Sequence, residues 1–355
     1  MPGKSIPAGL TSGEAVPWPL DAWNRVCNLY SVEGVLGEGG NGKVFSGTRR
    51  SDGLQVAIKI ARGSQDCAPS REVCLLGKVQ HLTGVAKLVG NVQVPGRQLI
   101  VFDLTDRAEG CIDLFELVSR RVCLGEPEAS VIFRQVAKTA VQLQGAGVCH
   151  RDIKEENILV NTATLECWLL DFGCAAEAIT GLYHDYSGTR EYSPPEWIAR
   201  RGYTGEGLSV WSLGILLYDM VVGNLPFETD AQIAAGHVSF PKDRMLSSEV
   251  RSLIMSCLRV SPEERPTLAG LLTHPWLSLD LSLEGRVSEP VVCAPPRPLA
   301  NPLIGGERCE GEGRLLPAST GDSSSPGPLG SRLSAILRSN CAAALDFICG
   351  CCPPP

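Results

Sequence analysis

The chain has 355 residues, 44% of them apolar, which suits one large bilobal domain or two small ones with room for tails. Its net charge of −7 argues against a protein that binds nucleic acid or an anionic membrane and is compatible with basic partners. The fifteen cysteines are an odd count without paired Cys-x-x-Cys spacing, so we expect mostly reduced thiols rather than a disulfide framework.

Residues 1–29 are rich in Pro, Gly and Ser and are predicted to form a flexible lead-in. The first fifteen residues lack the apolar core and cleavage site of a signal peptide. No apolar run in the chain approaches the ~20 residues that a membrane span needs. We therefore expect a soluble intracellular protein without a membrane span.

A glycine-dense segment at residues 37–42 stands between two predicted strands, residues 32–36 and 43–48. A glycine motif that opens a helix indicates a dinucleotide fold, whereas one between two strands is typical of the kinase loop that covers ATP phosphates. Glycine suits this loop because the backbone must approach the phosphates closely. The predicted ATP-binding residues here are Leu36, Gly37, Glu38, Gly39, Gly40, Asn41, Gly42, Lys43 and Val44.

The next predicted strand ends in Val-Ala-Ile-Lys at residues 56–59. This pattern predicts that Lys59 contacts the α and β phosphates of ATP, with Ala57 also in the nucleotide site. Lys59 needs an acidic partner, and Glu72 on the following amphipathic helix is the candidate. The alternative is that Glu72 is a surface acid near its helix start, where the helix dipole favours a negative charge.

An apolar strand at residues 99–102 is predicted to run into a hinge at residues 103–106. The hinge backbone, beginning at Asp103, would hold the adenine edge of the nucleotide. Residues 113–118 then begin a larger, helical lobe, because amphipathic helical patterns follow from there.

The sequence His-Arg-Asp-Ile-Lys-Glu-Glu-Asn at residues 150–157, with Asp-Phe-Gly at residues 171–173, indicates the chemistry. Phosphoryl transfer needs a carboxylate that can accept a hydroxyl proton, and Asp152 occupies that place in the kinase pattern. It also needs oxygen ligands for Mg²⁺, which Asn157 and Asp171 can supply. We therefore predict ATP and Mg²⁺ as cofactors.

Downstream, residues 188–196 close a predicted activation segment, and the domain is expected to end near residue 279. Residues 280–355 are rich in Pro, Gly and Ser and are predicted to be mostly disordered. A short predicted helix at residues 333–348 precedes a cysteine cluster at residues 349–352. Either this segment is a palmitoylated anchor or it is a disordered tail, and the lack of a polybasic patch favours the tail.

Together these motifs resemble a eukaryotic protein kinase over residues 30–279, and within that superfamily the Pim family of serine/threonine kinases. The strings that carry the resemblance are residues 150–159, 185–198, 210–220 and 225–228. Most kinases have an Asp two residues before the Trp of the 210–220 string, whereas this chain has Ser209, and Pim-like enzymes also lack that Asp. The resemblance implies an α+β bilobal fold, with a strand-rich N-lobe at residues 30–102 and a helical C-lobe at residues 107–279.

The resemblance also implies residue roles in catalysis, substrate choice and regulation. Lys154, a catalytic residue beside Asp152, and Thr189 in the substrate-receiving segment imply serine/threonine rather than tyrosine specificity. Asp185 stands where the family uses an acid to meet Arg151, which implies activity without an upstream kinase. The acids implied to line the groove for basic substrate residues are Asp113, Glu116, Glu155, Glu156 and Asp230, with a solvated acidic face as the alternative.

Three features depart from the family pattern. The link between Lys59 and Glu72 is shorter than in the family. The segment after Asp103 carries about three extra residues and lacks the family's proline, so adenine contacts are expected to differ. Ala231 and Gln232 stand where the family is more acidic, so selection at the substrate position most remote from the serine is expected to be weaker.

We therefore expect a constitutively active protein kinase that phosphorylates Ser or Thr preceded by basic residues. By resemblance it would be a survival and proliferation signalling kinase, monomeric, located in the cytoplasm and also in the nucleus. The alternative from a different class is a pseudokinase that binds nucleotide or partners without phosphoryl transfer, but Lys59, Asp152 and Asp171 are all present. A small-molecule or lipid kinase is disfavoured by the complete activation segment, which builds a peptide platform.

Overall fold

The computed structural model describes residues 26–39, 42–63, 68–94, 96–104 and 110–278, which form a strand-rich N-terminal lobe and a helical C-terminal lobe. The N-terminal strands are β1 (Tyr30–Gly39), β2 (Gly42–Arg49), β3 (Gln55–Arg62), β4 (Leu88–Val94) and β5 (Arg97–Asp103). They form one antiparallel sheet in the order β1-β2-β3-β5-β4. Helix α1 (Arg71–Lys78) lies between β3 and β4 in the chain.

Alternation along β3 and β5 decides which residues enter the core of the N-terminal lobe. Ile58 and Val101 are paired across the two strands and are almost fully buried in one cluster, because paired residues point to the same face of a sheet. Val26 is fully buried in the same cluster. The packed lobe therefore begins before residue 30, where the sequence predicted the domain to start, since an earlier apolar side chain completes this core.

Helix α1 packs its apolar face against the other side of that sheet. Ser70 caps the helix by accepting a hydrogen bond from the Val73 N–H, which satisfies one of the free donors at the helix start. Leu75 and Leu76 are buried in the large core cluster that also contains Ile100 of β5. The helix is thereby fixed against the sheet with Glu72 in its first turn.

The C-terminal lobe contains most of the helices. These are α2 (Leu114–Arg121), α3 (Glu126–Gly145), α4 (Pro195–Arg200), α5 (Gly205–Val222), α6 (Asp230–Ala235), α7 (Ser248–Cys257), α8 (Leu268–Leu271) and α9 (Pro275–Ser278). The short strands of the lobe are β6 (Cys111–Asp113), β7 (Val148–Cys149), β8 (Ile158–Asn161), β9 (Cys167–Leu169) and β10 (Ala176–Glu177). Strands β6, β8 and β9 form one small sheet, and β7 pairs with β10. These strands frame the loop at residues 150–157.

Helix α5 is the centre of the C-terminal core. Within the described ranges it is the one helix that is long and apolar enough to cross a membrane, and 89% of that stretch is buried inside the domain. Trp211 stacks on Phe227, and both are buried in the large cluster. We therefore assign α5 as a core helix.

Several predicted features lie outside the described residues. They are Gly40 and Asn41 of the glycine loop, the hinge beyond Leu104, and residues 280–355 with their cysteine cluster. No disulfide bond joins any two of the eight cysteines within the described ranges.

Candidate active site

Three charged side chains, one buried and two partly buried, meet where β3, α1 and the Asp-Phe-Gly segment converge. Lys59 Nζ lies 2.7 Å from Glu72 Oε1 and 2.9 Å from Asp171 Oδ1. Burial by itself would lower the pKa of Lys59, but the carboxylates of Asp171 and Glu72 outweigh this and raise that pKa. Burial raises the pKa of Glu72, and the attraction of Lys59 offsets only part of that rise. Lys59 is therefore held in its charged form in a site that is largely shielded from water.

Backbone structure fixes each member of this trio. Lys59 lies on a strand that is paired on both edges, opposite Val44 of β2 and Ile100 of β5. Asp171 has a φ of 49° and caps the short 3-10 helix Phe172–Cys174, with its Oδ1 accepting the Gly173 N–H over 3.0 Å. The predicted pairing of Lys59 with Glu72 thus forms despite the short link between them.

Asp152 lies at the centre of a second hydrogen-bond network. Its Oδ1 accepts hydrogen bonds from the Thr189 N–H over 2.9 Å and from the Thr189 hydroxyl over 2.8 Å. Asn157 Nδ2 donates to Asp152 Oδ2 over 2.9 Å and to the Asp152 carbonyl oxygen over 2.8 Å. Lys154 Nζ lies 2.7 Å from Thr189 Oγ1 and 3.6 Å from Asp152 Oδ2. A carboxylate, a hydroxyl group and a cation are therefore held together in one place.

His150 connects the catalytic loop to the Asp-Phe-Gly segment. Its Nε2 lies 2.8 Å from the Leu170 carbonyl oxygen, and its ring packs edge-on against Phe172 with centroids 4.9 Å apart. Burial lowers the pKa of His150, so the neutral imidazole is favoured. The loop and the Asp-Phe-Gly segment are thereby packed together, which places Asp152 and Asp171 in the same cleft.

Arg151 connects the loop to the activation segment. Its backbone has a φ of 66°, and its guanidinium donates to Asp185 Oδ2 over 2.9 Å and to the Cys174 carbonyl oxygen over 2.7 Å. The guanidinium also lies over the Tyr183 ring at 5.3 Å. Around it, stacked and edge-on aromatic contacts join Tyr183, Tyr186, Trp197 and Tyr203. These contacts hold the activation segment against the catalytic loop.

The predicted nucleotide-binding residues lie on adjacent strands of the N-terminal sheet. Gly42 has a φ of 126°, and a Cβ there would lie 2.0 Å from the Ile60 carbonyl oxygen, so only glycine fits at this turn. The predicted residues that the structure places on this sheet are Leu36, Gly37, Glu38, Gly39, Gly42, Lys43, Val44, Ala57, Lys59 and Asp103. Asp103 ends β5 and is the first residue of the predicted hinge.

The oxygen ligands suit a magnesium ion that is bound together with a nucleotide. In the ranges that the structure describes, no three His, Cys, Asp or Glu side chains converge as a metal site of their own. Mg²⁺ commonly takes one or two protein carboxylates together with phosphate oxygens and waters, so a site of few protein ligands is expected. Asp171 and Asn157 supply a carboxylate and an amide oxygen, which are hard donors of the preferred type. The residues present therefore fit this metal.

The predicted substrate acids do not all lie at the surface. Asp113 is buried because its carboxylate caps α2 and accepts the Glu116 N–H over 2.7 Å, and burial raises its pKa to about 6. Glu155 is only 2% exposed. The expectation that these two acids line an open groove is therefore wrong for the structure as it stands, because one serves as a helix cap and the other enters the core. Glu116, Glu156 and Asp230 remain partly accessible.

The sequence reasoning missed Asp219, which explains the burial of Glu155. The Glu155 and Asp219 carboxyl groups lie together inside the core, an arrangement that favours a proton shared between them. Burial raises the pKa of Asp219 to about 7 and raises that of Glu155 as well. A signal was available, because Asp219 is an acid near the end of an otherwise apolar helix, and a buried charge needs a partner.

Comparison with known proteins supplies a family context for this geometry. The profile of the protein kinase domain matches residues 30–277. Serine/threonine-protein kinase pim-2 of Danio rerio is 41% identical over 267 residues, which cover 70% of this chain and 84% of that protein. Serine/threonine-protein kinase prk-2 of Caenorhabditis elegans is 36% identical over 259 residues, covering 70% of this chain and 58% of that protein. The PAS domain-containing serine/threonine-protein kinase of Mus musculus is 30% identical over 276 residues, covering 74% of this chain and 19% of that protein.

Proposed function

Because the chain belongs to the protein kinase family, as a Pim-like serine/threonine protein kinase, we propose that it transfers the terminal phosphoryl group of ATP to protein hydroxyls that follow basic residues. Lys59 binds the nucleotide phosphates, and Asp171 and Asn157 hold Mg²⁺. When bound, Mg²⁺ supplies positive charge that neutralises the phosphate oxygens. Asp152 accepts the proton of the substrate hydroxyl.

The position of Lys59 between two carboxylates is the observation that carries this proposal. The sequence allowed Glu72 to be either the partner of Lys59 or a surface acid, and the contact between Glu72 Oε1 and Lys59 Nζ measures 2.7 Å. Removing three charged groups from water costs several kcal/mol per ion, so such a cluster usually serves chemistry rather than packing. A pseudokinase would have no such requirement, which leaves that alternative without a supporting observation.

The geometry around Asp152 supports its role as proton acceptor. Its carboxylate already accepts a hydroxyl hydrogen bond from Thr189 over 2.8 Å, which is within the range for proton transfer. Lys154 lies on the same hydroxyl oxygen, so a positive charge is available where negative charge develops on an attacking oxygen. A substrate serine that enters this position would find a base and a cation in place.

The proposed specificity and regulation rest on charges around the cleft. Glu116, Glu156 and Asp230 are acids that can bind arginine side chains through bidentate hydrogen bonds. The contact of Arg151 with Asp185 orders the activation segment without phosphorylation. We therefore include constitutive activity and a preference for basic substrates in the proposal.

The test is a kinase assay on purified protein with Mg-ATP and serine peptides that carry arginines two, three and five residues before the serine. Phosphorylation should need Mg²⁺ and should fall by orders of magnitude in Asp152→Asn, because an amide cannot accept the proton. ATP binding should persist in that variant, which separates lost chemistry from lost folding. Equal turnover of the wild type and Asp152→Asn would refute the mechanism.

A further inference from the structure

An exposed ion pair links the end of the activation segment to α6. Arg190 Nε donates to Asp230 Oδ1 over 3.1 Å, and Arg190 Nη2 donates to Asp230 Oδ2 over 2.8 Å. The contact is bidentate, so both carboxylate oxygens are used by one guanidinium. Asp230 is also one of the acids that the proposed function assigns to substrate arginine. Asp230 is therefore already bound to Arg190, where the proposed function requires it to bind an arginine of the substrate.

We propose that Arg190 is an internal competitor for Asp230, which a substrate arginine must displace at the position most remote from the serine. The inference rests on the proposed function and adds a specificity-determining residue to it. Since Asp230 is the only acid within α6, no neighbouring carboxylate of that helix can replace it. Two features then weaken the preference for arginine at the remote position. One is the absence of acids at Ala231 and Gln232, and the other is the competition from Arg190.

The exposure of the pair makes such an exchange feasible. The side chains of Arg190 and Asp230 are 75% and 43% exposed. A second bidentate pair in the same lobe, Arg265 with Glu196, has side chains only 1% and 10% exposed. Breaking the buried pair would leave an uncompensated charge in the core, whereas water can solvate Arg190 when it leaves Asp230.

The backbone around Arg190 can stay in place during the exchange. The preceding Thr189 is held by Asp152, and the Arg190 carbonyl oxygen accepts hydrogen bonds from the Ser193 N–H over 2.9 Å and the Ser193 hydroxyl over 2.5 Å. Asp230 is fixed by the capping box of Thr229 and Gln232 at the start of α6. Only the arginine side chain has to move, so the competition need not disturb the catalytic loop.

The test measures a ratio of kcat/KM for two peptides that differ only at the fifth residue before the serine, which is arginine in one and alanine in the other. The enzymes are the wild type, Arg190→Gln, Asp230→Asn and the double variant. Arg200→Gln is the control, because Arg200 is another exposed arginine, at the end of α4. Arg190→Gln should raise the ratio about two- to fivefold, the range to which the strength of an exposed ion pair converts. Asp230→Asn should abolish the preference with or without Arg190→Gln, and Arg200→Gln should leave the ratio at the wild-type value.

Two results would overturn the inference in different ways. If Arg190→Gln changes kcat/KM for both peptides by the same factor, Arg190 is a structural anchor and not a competitor, while continued dependence on arginines two and three residues before the serine keeps the proposed function. If no arginine position matters in any of the enzymes, the proposed preference for basic substrates fails and the competition fails with it.

Discussion

Arg151 donates a hydrogen bond to Asp185, 34 residues later in the chain, over 2.9 Å. The guanidinium is buried, whereas the carboxylate side chain is 63% exposed. Many kinases order their activation segment through an arginine that binds an added phosphate group. A carboxylate that is always present can hold the same arginine, and this supports the proposal of activity without an added phosphate group.

Replacing Asp185 with asparagine should lower kcat of the unphosphorylated enzyme about fivefold. The change removes the charge but keeps the side-chain shape, and about 1 kcal/mol is suitable for an ion pair with one exposed partner. Asp243→Asn, an exposed acid elsewhere in the C-terminal lobe, serves as the control and should leave kcat unchanged. Phosphatase-treated wild type that stays inactive until another kinase is added would contradict this explanation.

Replacing Glu72 with glutamine should lower kcat/KM for ATP at least about tenfold. Lys59 would lose one of its two charged partners, and a hydrogen bond between charged groups contributes about 1.5–3 kcal/mol. Glu177→Gln is a matched control, because Glu177 pairs with Lys78 of the same helix α1 at an exposed site. A wild-type value of kcat/KM in Glu72→Gln would mean that Asp171 alone positions the lysine.

Local motifs made the catalytic centre predictable. Lys59 and Asp152 belong to short strings whose residue types and spacing follow from the chemistry, and Ser70 marks the start of the helix that carries Glu72. The kinase pattern then states which strings meet. The short connection between Lys59 and Glu72 does not prevent their contact, because sheet pairing fixes β3 and packing fixes α1.

Contacts between distant segments explain what the sequence could not predict. The burial of Glu155 depends on Asp219 from helix α5, and no local pattern around the catalytic loop reveals that partner. The pairing of Arg190 with Asp230 joins residues 40 positions apart. Glu155 and Asp230 were both predicted to face substrate. The sequence shows where a charged residue stands, but it does not show which side chain contacts that residue in the fold.

The backbone conformation at Val122 should favour glycine over any residue that has a Cβ atom. It ends α2 with a φ of 69° and a ψ of −39°, a conformation that is strained for any residue with a Cβ atom and most for a β-branched one. We expect Val122→Gly to be about 1 kcal/mol more stable than Val122→Ala, or about 2–4 °C in Tm. Lys138 is exposed within α3 and serves as the control. Lys138→Ala should have a higher Tm than Lys138→Gly, because glycine is unfavourable inside a helix. Equal Tm values for the two Val122 variants would show that this backbone relaxes without cost.

The Glu155 and Asp219 pair should make stability depend on pH. Burial raises the pKa of Asp219 from its usual value near 4 to about 7. Below pH 4 the folded and unfolded states both carry the proton, so the group costs nothing. Between about pH 4 and pH 7 the unfolded chain releases that proton while the folded chain retains it, and the free energy of unfolding falls as the pH rises.

Asp219→Asn should remove this loss, because the amide resembles the protonated carboxyl group and its oxygen can still accept a hydrogen bond from the Glu155 carboxyl group. The Tm of the variant minus that of the wild type should therefore increase from pH 5 to pH 8, by about 3–8 °C for a change on the order of 1–3 kcal/mol. Burial also raises the pKa of Glu72, Asp113 and Glu156, so the wild-type curve alone is not diagnostic and the difference between the two proteins is what has to be measured. Parallel Tm curves for the two proteins over this range would show that the pair holds no proton at neutral pH.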